Sequence, residues 1–256
     1  MVKLSKRLQT IADLVPTGAR LADIGSDHAL LPVHLAEQGR VSFAVAGEVN
    51  AGPLEAAQKQ VKEAGMAAIV QTRLGDGLAV VEPGEVDVVT IAGMGGSLIV
   101  HILTQGEAKL GGVGKLILQP NVGEDQVRRW LIANGWLLTG ETALEEDGKF
   151  YEVLHAEKAG SWSAAQAFNE QLYRSRALES GIVLEQEELI RYGPYLVEQA
   201  DEPFIRKWLS ELAKLDKIMS GMARGGTEAA LLRHSELAAE RSRIEEVIHC
   251  LQKVKR

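Results

Sequence analysis

Three acidic residues fall where an apolar run gives way to glycine: Asp27 in Gly25-Ser26-Asp27-His28-Ala29, Glu48 after Gly47, and Asp76 between Gly75 and Gly77. Glu48 follows Gly25 by 23 positions, and Asp76 follows Glu48 by 28. A buried strand that ends in a small-residue turn lets backbone amides approach a ligand, because glycine has no Cβ to stand in the way. A carboxylate closing the next strand can accept hydrogen bonds from ribose hydroxyls, and a third acidic site then falls near the base. Each turn alone has an ordinary structural explanation. The three together point to a nucleoside-bearing cofactor.

A dinucleotide site requires G-x-G-x-x-G, whose second glycine makes room for a pyrophosphate at a helix N-terminus. Asp27 holds that second position here, and a carboxylate there would face a diphosphate with like charge. S-adenosylmethionine carries a sulfonium and an α-ammonium and no phosphate, so an acidic turn suits it. On this reading Asp27 or His28 helps hold the amino-acid part, Glu48 with Val49 takes the ribose, and Asp76 with Gly77 takes the base. Ala92-Gly93-Met94-Gly95-Gly96 follows a fourth apolar run, where the methyl acceptor is brought in. The cofactor set is Gly25, Ser26, Asp27, His28, Glu48, Val49, Asp76, Gly77, Ala92, Gly93 and Met94. His28 is open between a catalytic base and a local hydrogen-bonding role. Asn121 is open between orienting a base edge and capping the helix that follows. Lys6, Arg7, Arg128 and Arg129 are candidates for RNA phosphate contacts, with a solvated helix face as the alternative.

Other chemistries do not fit. Gly114-Lys115-Leu116 lacks the upstream glycine and the Ser/Thr of a phosphate-binding loop, and no G-x-S-x-G nucleophile elbow occurs. The six histidines and single cysteine show no metal-ligand spacing, so no metal is expected.

The elements that must position these residues follow from hydrophobic period and punctuation. Helices are predicted over 3–15, 29–38, 50–65, 97–105 and 123–134, and strands over 20–24, 41–46, 68–73, 86–91 and 115–119. Strands alternating with helices at this spacing build a parallel sheet covered on both faces, with ligands at the carboxyl ends of the strands. Two further strand-like runs, 136–144 and 150–156, flank Asp147-Gly148, a hairpin signal. An antiparallel hairpin closing a parallel sheet is the seven-strand arrangement of class I, Rossmann-like methyltransferases.

After Gly160 the pattern reads as helical to the end. Ile205, Trp208, Leu212, Leu215, Met219 and Met222 step by three and four, a coiled-coil-like stripe that Gly225-Gly226 breaks. A second helix from Thr227, its expected N-cap, carries Ala230, Leu237, Ile244, Val247, Leu251 and Val254, and the two should pair antiparallel. The expected domains are thus 1–160, binding the cofactor, and 161–256, a helical hairpin. The helical part could serve RNA binding or homo-oligomer formation.

The net charge is −7, and from Ser161 onward there are 14 basic and 15 acidic residues, leaving 14 and 20 before it. The two parts therefore carry −1 and −6, which excludes a general polyanion binder; any RNA site is a local patch. The lone Cys250 forms no intramolecular disulfide, residues 1–7 lack the apolar core of a secretion signal, and the uncharged run Val88 to Val100 is too short to span a bilayer. A cytoplasmic protein with no membrane partner is expected.

Seven motifs in order carry a resemblance. Leu4-Ser5-Lys6-Arg7-Leu8, Asp23-Ile24-Gly25-Ser26-Asp27-His28-Ala29, Gly47-Glu48, Gly75-Asp76-Gly77-Leu78, Ile91-Ala92-Gly93-Met94-Gly95-Gly96, Leu116-Ile117-Leu118-Gln119-Pro120-Asn121 and Glu146-Asp147-Gly148-Lys149 before Tyr151-Glu152-Val153 together resemble the bacterial tRNA (adenine-22-N1)-methyltransferases. Leu30 stands where that family often has Tyr, and 161–200 matches only loosely, best at Gly193-Pro194. The resemblance implies methyl transfer from S-adenosylmethionine to an adenine N1 in tRNA, on a class I domain followed by a helical, coiled-coil-like one. It makes Asp27 and Asn121 the candidates for accepting a hydrogen bond from the exocyclic amine during transfer. A small-molecule methyltransferase and a non-catalytic cofactor-binding partner of an RNA enzyme are the alternatives.

Overall fold

The computed structural model describes residues 2–179, 181–222 and 228–253, with the side chains of 228–230 left aside. The expected Gly225-Gly226 break, the Thr227 cap and the stripe positions Ala230 and Val254 fall outside what is described.

Seven strands form one sheet: β1 (Ala19–Ile24), β2 (Val41–Glu48), β3 (Val70–Leu74), β4 (Val88–Met94), β5 (Lys115–Pro120), β6 (Trp136–Glu146) and β7 (Lys149–Lys158). Their order is β3-β2-β1-β4-β5-β7-β6. Neighbours among the first five are parallel, and β7 runs antiparallel to β5. Leu21 and Ala22 of β1 and Ala44, Val45 and Ala46 of β2 are wholly buried, as expected of parallel strands covered on both faces. The covering helices are α1 (Lys6–Leu14), α2 (Leu30–Glu37), α3 (Ala51–Glu63), α4 (Gly96–Gln105), α5 (Glu124–Ala133) and α6 (Trp162–Leu172). Chain order reverses between β1 and β4, which opens the crevice at the carboxyl ends of those strands.

Local chemistry explains the element ends. The Ser5 hydroxyl caps α1 by accepting from the Leu8 amide, and Pro53 sits in the first turn of α3, where its missing N–H costs nothing. Asp147 and Gly148 both take positive φ, 50° and 71°, the geometry of a two-residue hairpin turn whose twist matches β6 and β7. β4 runs three residues past its predicted end: a register shift between Ala92 and Met94 lets Met94 pair with Pro120 of β5.

Chain contacts define two compact units, Met1–Thr142 with Glu146–Leu172, and Ala143–Glu145 with Tyr173–Arg256. The division thus follows Leu172 and not Gly160, because α6 packs against α5 in the first unit. The second unit is not helical throughout. A short antiparallel pair, β8 (Arg176–Ala177) and β9 (Val183–Leu184), precedes α7 (Gln186–Tyr192), α8 (Pro194–Gln199), α9 (Glu202–Met222) and α10 (Glu228–Lys253). Two-residue strands are too short to show a period, which is why the helical reading missed them.

Helices α9 and α10 pair antiparallel: Arg241 Nε donates to Asp216 Oδ1 at 2.5 Å, while Ile205, near the start of α9, shares a cavity wall with Leu251. Ile205, Trp208 and Leu212 are buried, whereas Leu215, Met219 and Met222 are only half-buried, so the heptad stripe packs fully over its first half alone. Tyr192 stacks edge-on against Trp208 at 4.6 Å, and burial pushes its hydroxyl up to about 12. Among the described residues, no helix is long and apolar enough to cross a membrane.

Candidate active site

The turn after β1 sets one wall of the crevice. Gly25 has φ +68°, and the amides of Gly25 and Ser26 both donate to the Gly47 carbonyl, at 2.9 and 3.2 Å, which ties the ends of β1 and β2 together. Asp27, His28 and Ala29 then all take positive φ, at 44°, 68° and 55°. Left-handed backbone at consecutive non-glycine residues costs roughly 1–2 kcal/mol each and persists only where surrounding structure enforces it. One enforcing contact is visible: the Asp27 amide donates to Glu48 Oε1 at 2.6 Å. The turn projects Asp27 and His28 into solvent, 3.5 Å apart, while Glu48 stays buried at the end of β2.

Beneath the turn lies Asp23, buried, whose carboxylate accepts from Ser26 Oγ and Thr90 Oγ1, each at 2.6 Å. Burial raises its carboxyl above the ordinary range, opposed by those two hydroxyls and by the positive charge of Arg7. Glu48 is raised as well, by burial first, with the Asp27 amide opposing and the neighbouring carboxylates of Asp23 and Asp27 adding to it. Asp76 is exposed at the end of β3, opening a tight turn over Gly77–Val80.

The opposite wall is made by the loops after β4 and β5, stitched together. The Asn121 amide donates to the Met94 carbonyl, Asn121 Nδ2 to the Gly93 carbonyl, and the Gly96 amide to the Val122 carbonyl, each at 2.7 Å. Asp27, Glu48, Asp76, Gly93 and Asn121 thus sit at one end of the sheet around one crevice. A carboxylate-rich, glycine-floored site of this kind suits a cationic nucleoside without phosphate, and among the described residues none donates to Glu48 Oε2, which is open to a ribose hydroxyl.

The family profile described as tRNA (adenine(22)-N(1))-methyltransferase matches residues 21–253. The chain is 42% identical over 248 residues to the tRNA (adenine(22)-N(1))-methyltransferase of Bacillus subtilis (strain 168), covering 96% of this chain and 98% of that one. This chain belongs to the tRNA (adenine(22)-N(1))-methyltransferase family. The crystal structure of the B. subtilis m1A22 tRNA methyltransferase TrmK aligns with a TM-score of 0.81 and 41% identity, covering 97% of this chain and all of that one. That of Streptococcus pneumoniae Sp1610, a putative tRNA (m1A22) methyltransferase in complex with S-adenosyl-L-methionine, gives 0.78 and 38% over 96% of this chain. The class I, Rossmann-like fold is therefore that of the family.

Within this family framework most sequence-predicted residues lie in the crevice. Gly25, Ser26, Asp27, His28, Glu48 and Val49 line one wall, Asp76 and Gly77 follow β3, and Ala92, Gly93 and Met94 close β4. Asn121 does not cap α5, whose N-cap is Gly123 without a side-chain bond; its side chain donates to the Gly93 carbonyl and accepts from Gln119. Arg128 is displaced from the RNA set. Its side chain is fully buried, with Nε on Glu141 at 2.6 Å and Nη2 on Glu152 at 2.5 Å, both carboxylates equally buried. Arg129, the next residue along α5, and Lys6 are exposed. The basic pair 128–129 looked uniform in sequence, but adjacent helix positions face about 100° apart, so one turns inward.

Sequence reasoning gave no role of their own to Gln119, Asp23, Thr90 and Tyr151. The first three are polar residues in otherwise apolar strands, Leu116-Ile117-Leu118-Gln119 being the plainest case, and all three are buried. A buried polar group demands partners, which was the available signal. Among the described residues no cluster of three or more His, Cys, Asp or Glu side chains could hold a metal ion.

Proposed function

We propose that this chain methylates N1 of adenine 22 in tRNA, in the cytoplasm, with S-adenosylmethionine as methyl donor. The observation that carries the reading is the convergence of Asp27, Glu48 and Asp76 on one glycine-floored crevice in a member of this family. S-adenosylmethionine supplies a methyl group on a sulfonium, which departs as a neutral thioether. Glu48 takes the ribose hydroxyls on its second oxygen, Asp76 the base, and the Gly25–His28 turn the amino-acid end. Adenine N1 attacks through its own lone pair, so the chain needs no strong base. It must instead hold donor and acceptor in line, which can supply several kcal/mol or more.

Positive charge grows on the adenine ring during transfer, and the exposed Asp27 carboxylate is the group at the crevice mouth able to accept from the exocyclic amine. N1 lies on the pairing edge, so a paired target must leave its stack before it enters. Of the sequence-expected set, Lys6 and Arg129 are exposed and are the ones offered to phosphate. The first unit is read as the cofactor-binding domain. The second, with Leu209, Ile218, Leu231 and Leu232 exposed on α9 and α10, is read as an accessory domain for RNA or for a second copy of the chain.

The test is incubation of the pure protein with labelled S-adenosylmethionine and unmodified tRNA, followed by mapping of the product base. Label at N1 of adenine 22 is expected. Label on a small molecule, or cofactor binding with no turnover on any tRNA, overturns the reading.

A further inference from the structure

Gln119 closes β5 fully buried, and every hydrogen-bonding position of its amide is used. Its Oε1 accepts from Arg7 Nη1 at 2.7 Å and from the Gly93 amide at 3.1 Å; its Nε2 donates to the Pro120 carbonyl at 2.8 Å and to Asn121 Oδ1 at 3.2 Å. A flipped amide would set its NH2 against a guanidinium and a backbone N–H, so this orientation is enforced by its partners. Asn121 carries the chain of bonds onward through Nδ2 to the Gly93 carbonyl. Gly93 itself has φ +77°, and the space a Cβ would fill there lies 3.6 Å from Arg7 Nη1.

Arg7 is held from its own side too. Its guanidinium lies over the Tyr151 ring at 5.5 Å, and the start of α1 is fixed by the Ser5 cap and by the Lys6 amide donating to Glu146. Arg7 thus links α1 to the loops that close β4 and β5, and it sits against the one glycine whose left-handed backbone sets the course of the Gly93–Gly96 loop.

We propose that Arg7 is a positioning residue for methyl transfer: through Gln119 and Asn121 it fixes the acceptor-side loop at Gly93-Met94. The proposal rests on the methyltransferase reading and deepens it. The network is neutral except at Arg7, so the guanidinium polarises a bond chain that the other members only transmit. The sequence offered Arg7 as a phosphate contact; the geometry points to a different role, exercised inside the crevice. Loosening the loop by about 1 Å is enough to cost roughly 100-fold in turnover.

The decisive experiment is a double-mutant cycle on the full chain with Arg7→Ala, Asn121→Ala and both together, read as kcat at saturating cofactor and tRNA, with KM for tRNA and calorimetric affinity for S-adenosylmethionine measured alongside. Each single variant is expected to lose roughly 100-fold in kcat, well beyond any accompanying fall in cofactor affinity, with the folded state retained at the assay temperature as read by circular dichroism. The double variant is expected to lose little more than either single one, since both cut one network. Gln119→Glu, which keeps the acceptor for Arg7 and removes the donor to Asn121, should fall with them, and Arg7→Lys should recover part of the rate. Losses that multiply in the double variant overturn the proposal. So does a rise in KM alone, which would make Arg7 a phosphate contact. A parent protein inactive on tRNA would instead defeat the functional reading, and the two failures are read in separate measurements.

Discussion

At the scale of single residues, Gly25 is constrained by its backbone and by its nearest neighbour. A Cβ at Gly25 would lie 2.2 Å from Met94 Cε, and φ +68° disfavours any L side chain there. Gly25→Ala is therefore expected to weaken S-adenosylmethionine binding, through the left-handed backbone and the displaced Met94 methyl, as read by calorimetric titration. Adding Met94→Ala clears the clash but leaves a backbone penalty of roughly 1–2 kcal/mol, so affinity should return only in part. Full recovery would mean the left-handed turn carries no cost. Glu48 adds a pH dependence with a definite sign. Burial holds its carboxyl above the ordinary range, so in the free protein it takes up a proton earlier on acidification than an exposed glutamate. If Glu48 accepts the ribose hydroxyls as proposed, binding favours the ionised form, lowers that pKa and is linked to proton release. Cofactor affinity should then be fullest at neutral pH and fall as pH drops through the raised Glu48 range. Calorimetry in buffers of different ionisation heat checks this, and Glu48→Gln should flatten the profile while weakening binding at every pH.

At the scale of elements, α5 joins β6 and β7 through Arg128, whose charge sits between two fully buried carboxylates. Removing one partner of a buried pair typically costs about 3–5 kcal/mol, because the remaining charge is stranded. Arg128→Ala should lower the unfolding free energy obtained from urea titration by that order, whereas Arg129→Ala, one position on and exposed, should change it by no more than about 0.5 kcal/mol. Equal effects would show that the two arginines occupy equivalent environments. This pair also marks where sequence stops being informative. Strand and helix order, the Asp147-Gly148 turn and the acidic strand ends were all legible, since each depends on local period or on a turn only certain residues permit. Which of two adjacent arginines turns inward depends on Glu141 and Glu152 arriving from other strands, a long-range fact with no local trace. The same holds for Gln119, whose partner Arg7 lies 112 positions away, and for β8 and β9, too short for any period to declare itself.

At the scale of the whole molecule, a chain of net charge −7 is read as acting on a polyanion, so attraction must be local and sparing. Arg128 is buried and Arg7 is engaged with Gln119, which leaves Lys6 and Arg129 of the sequence-expected set exposed. In the second unit, Arg191, Arg233, Arg241, Arg243 and Lys214 each lie in an ion pair with a carboxylate. Each phosphate contact by a cation steepens the dependence of log K on log salt by roughly 0.7–0.9. The full chain should therefore show a slope of about −2 to −4 for tRNA, and Lys6→Ala and Arg129→Ala should each flatten it by about 1. Affinity measured across a salt series gives the number directly. A slope steeper than about −6 would mean that residues 173–256 bind the RNA backbone broadly. Discrimination among tRNAs would then have to come from the crevice alone. A shallow slope instead requires that shape and the exposed apolar side chains of α9 and α10 contribute to choosing the substrate, with charge doing little more than bringing it near.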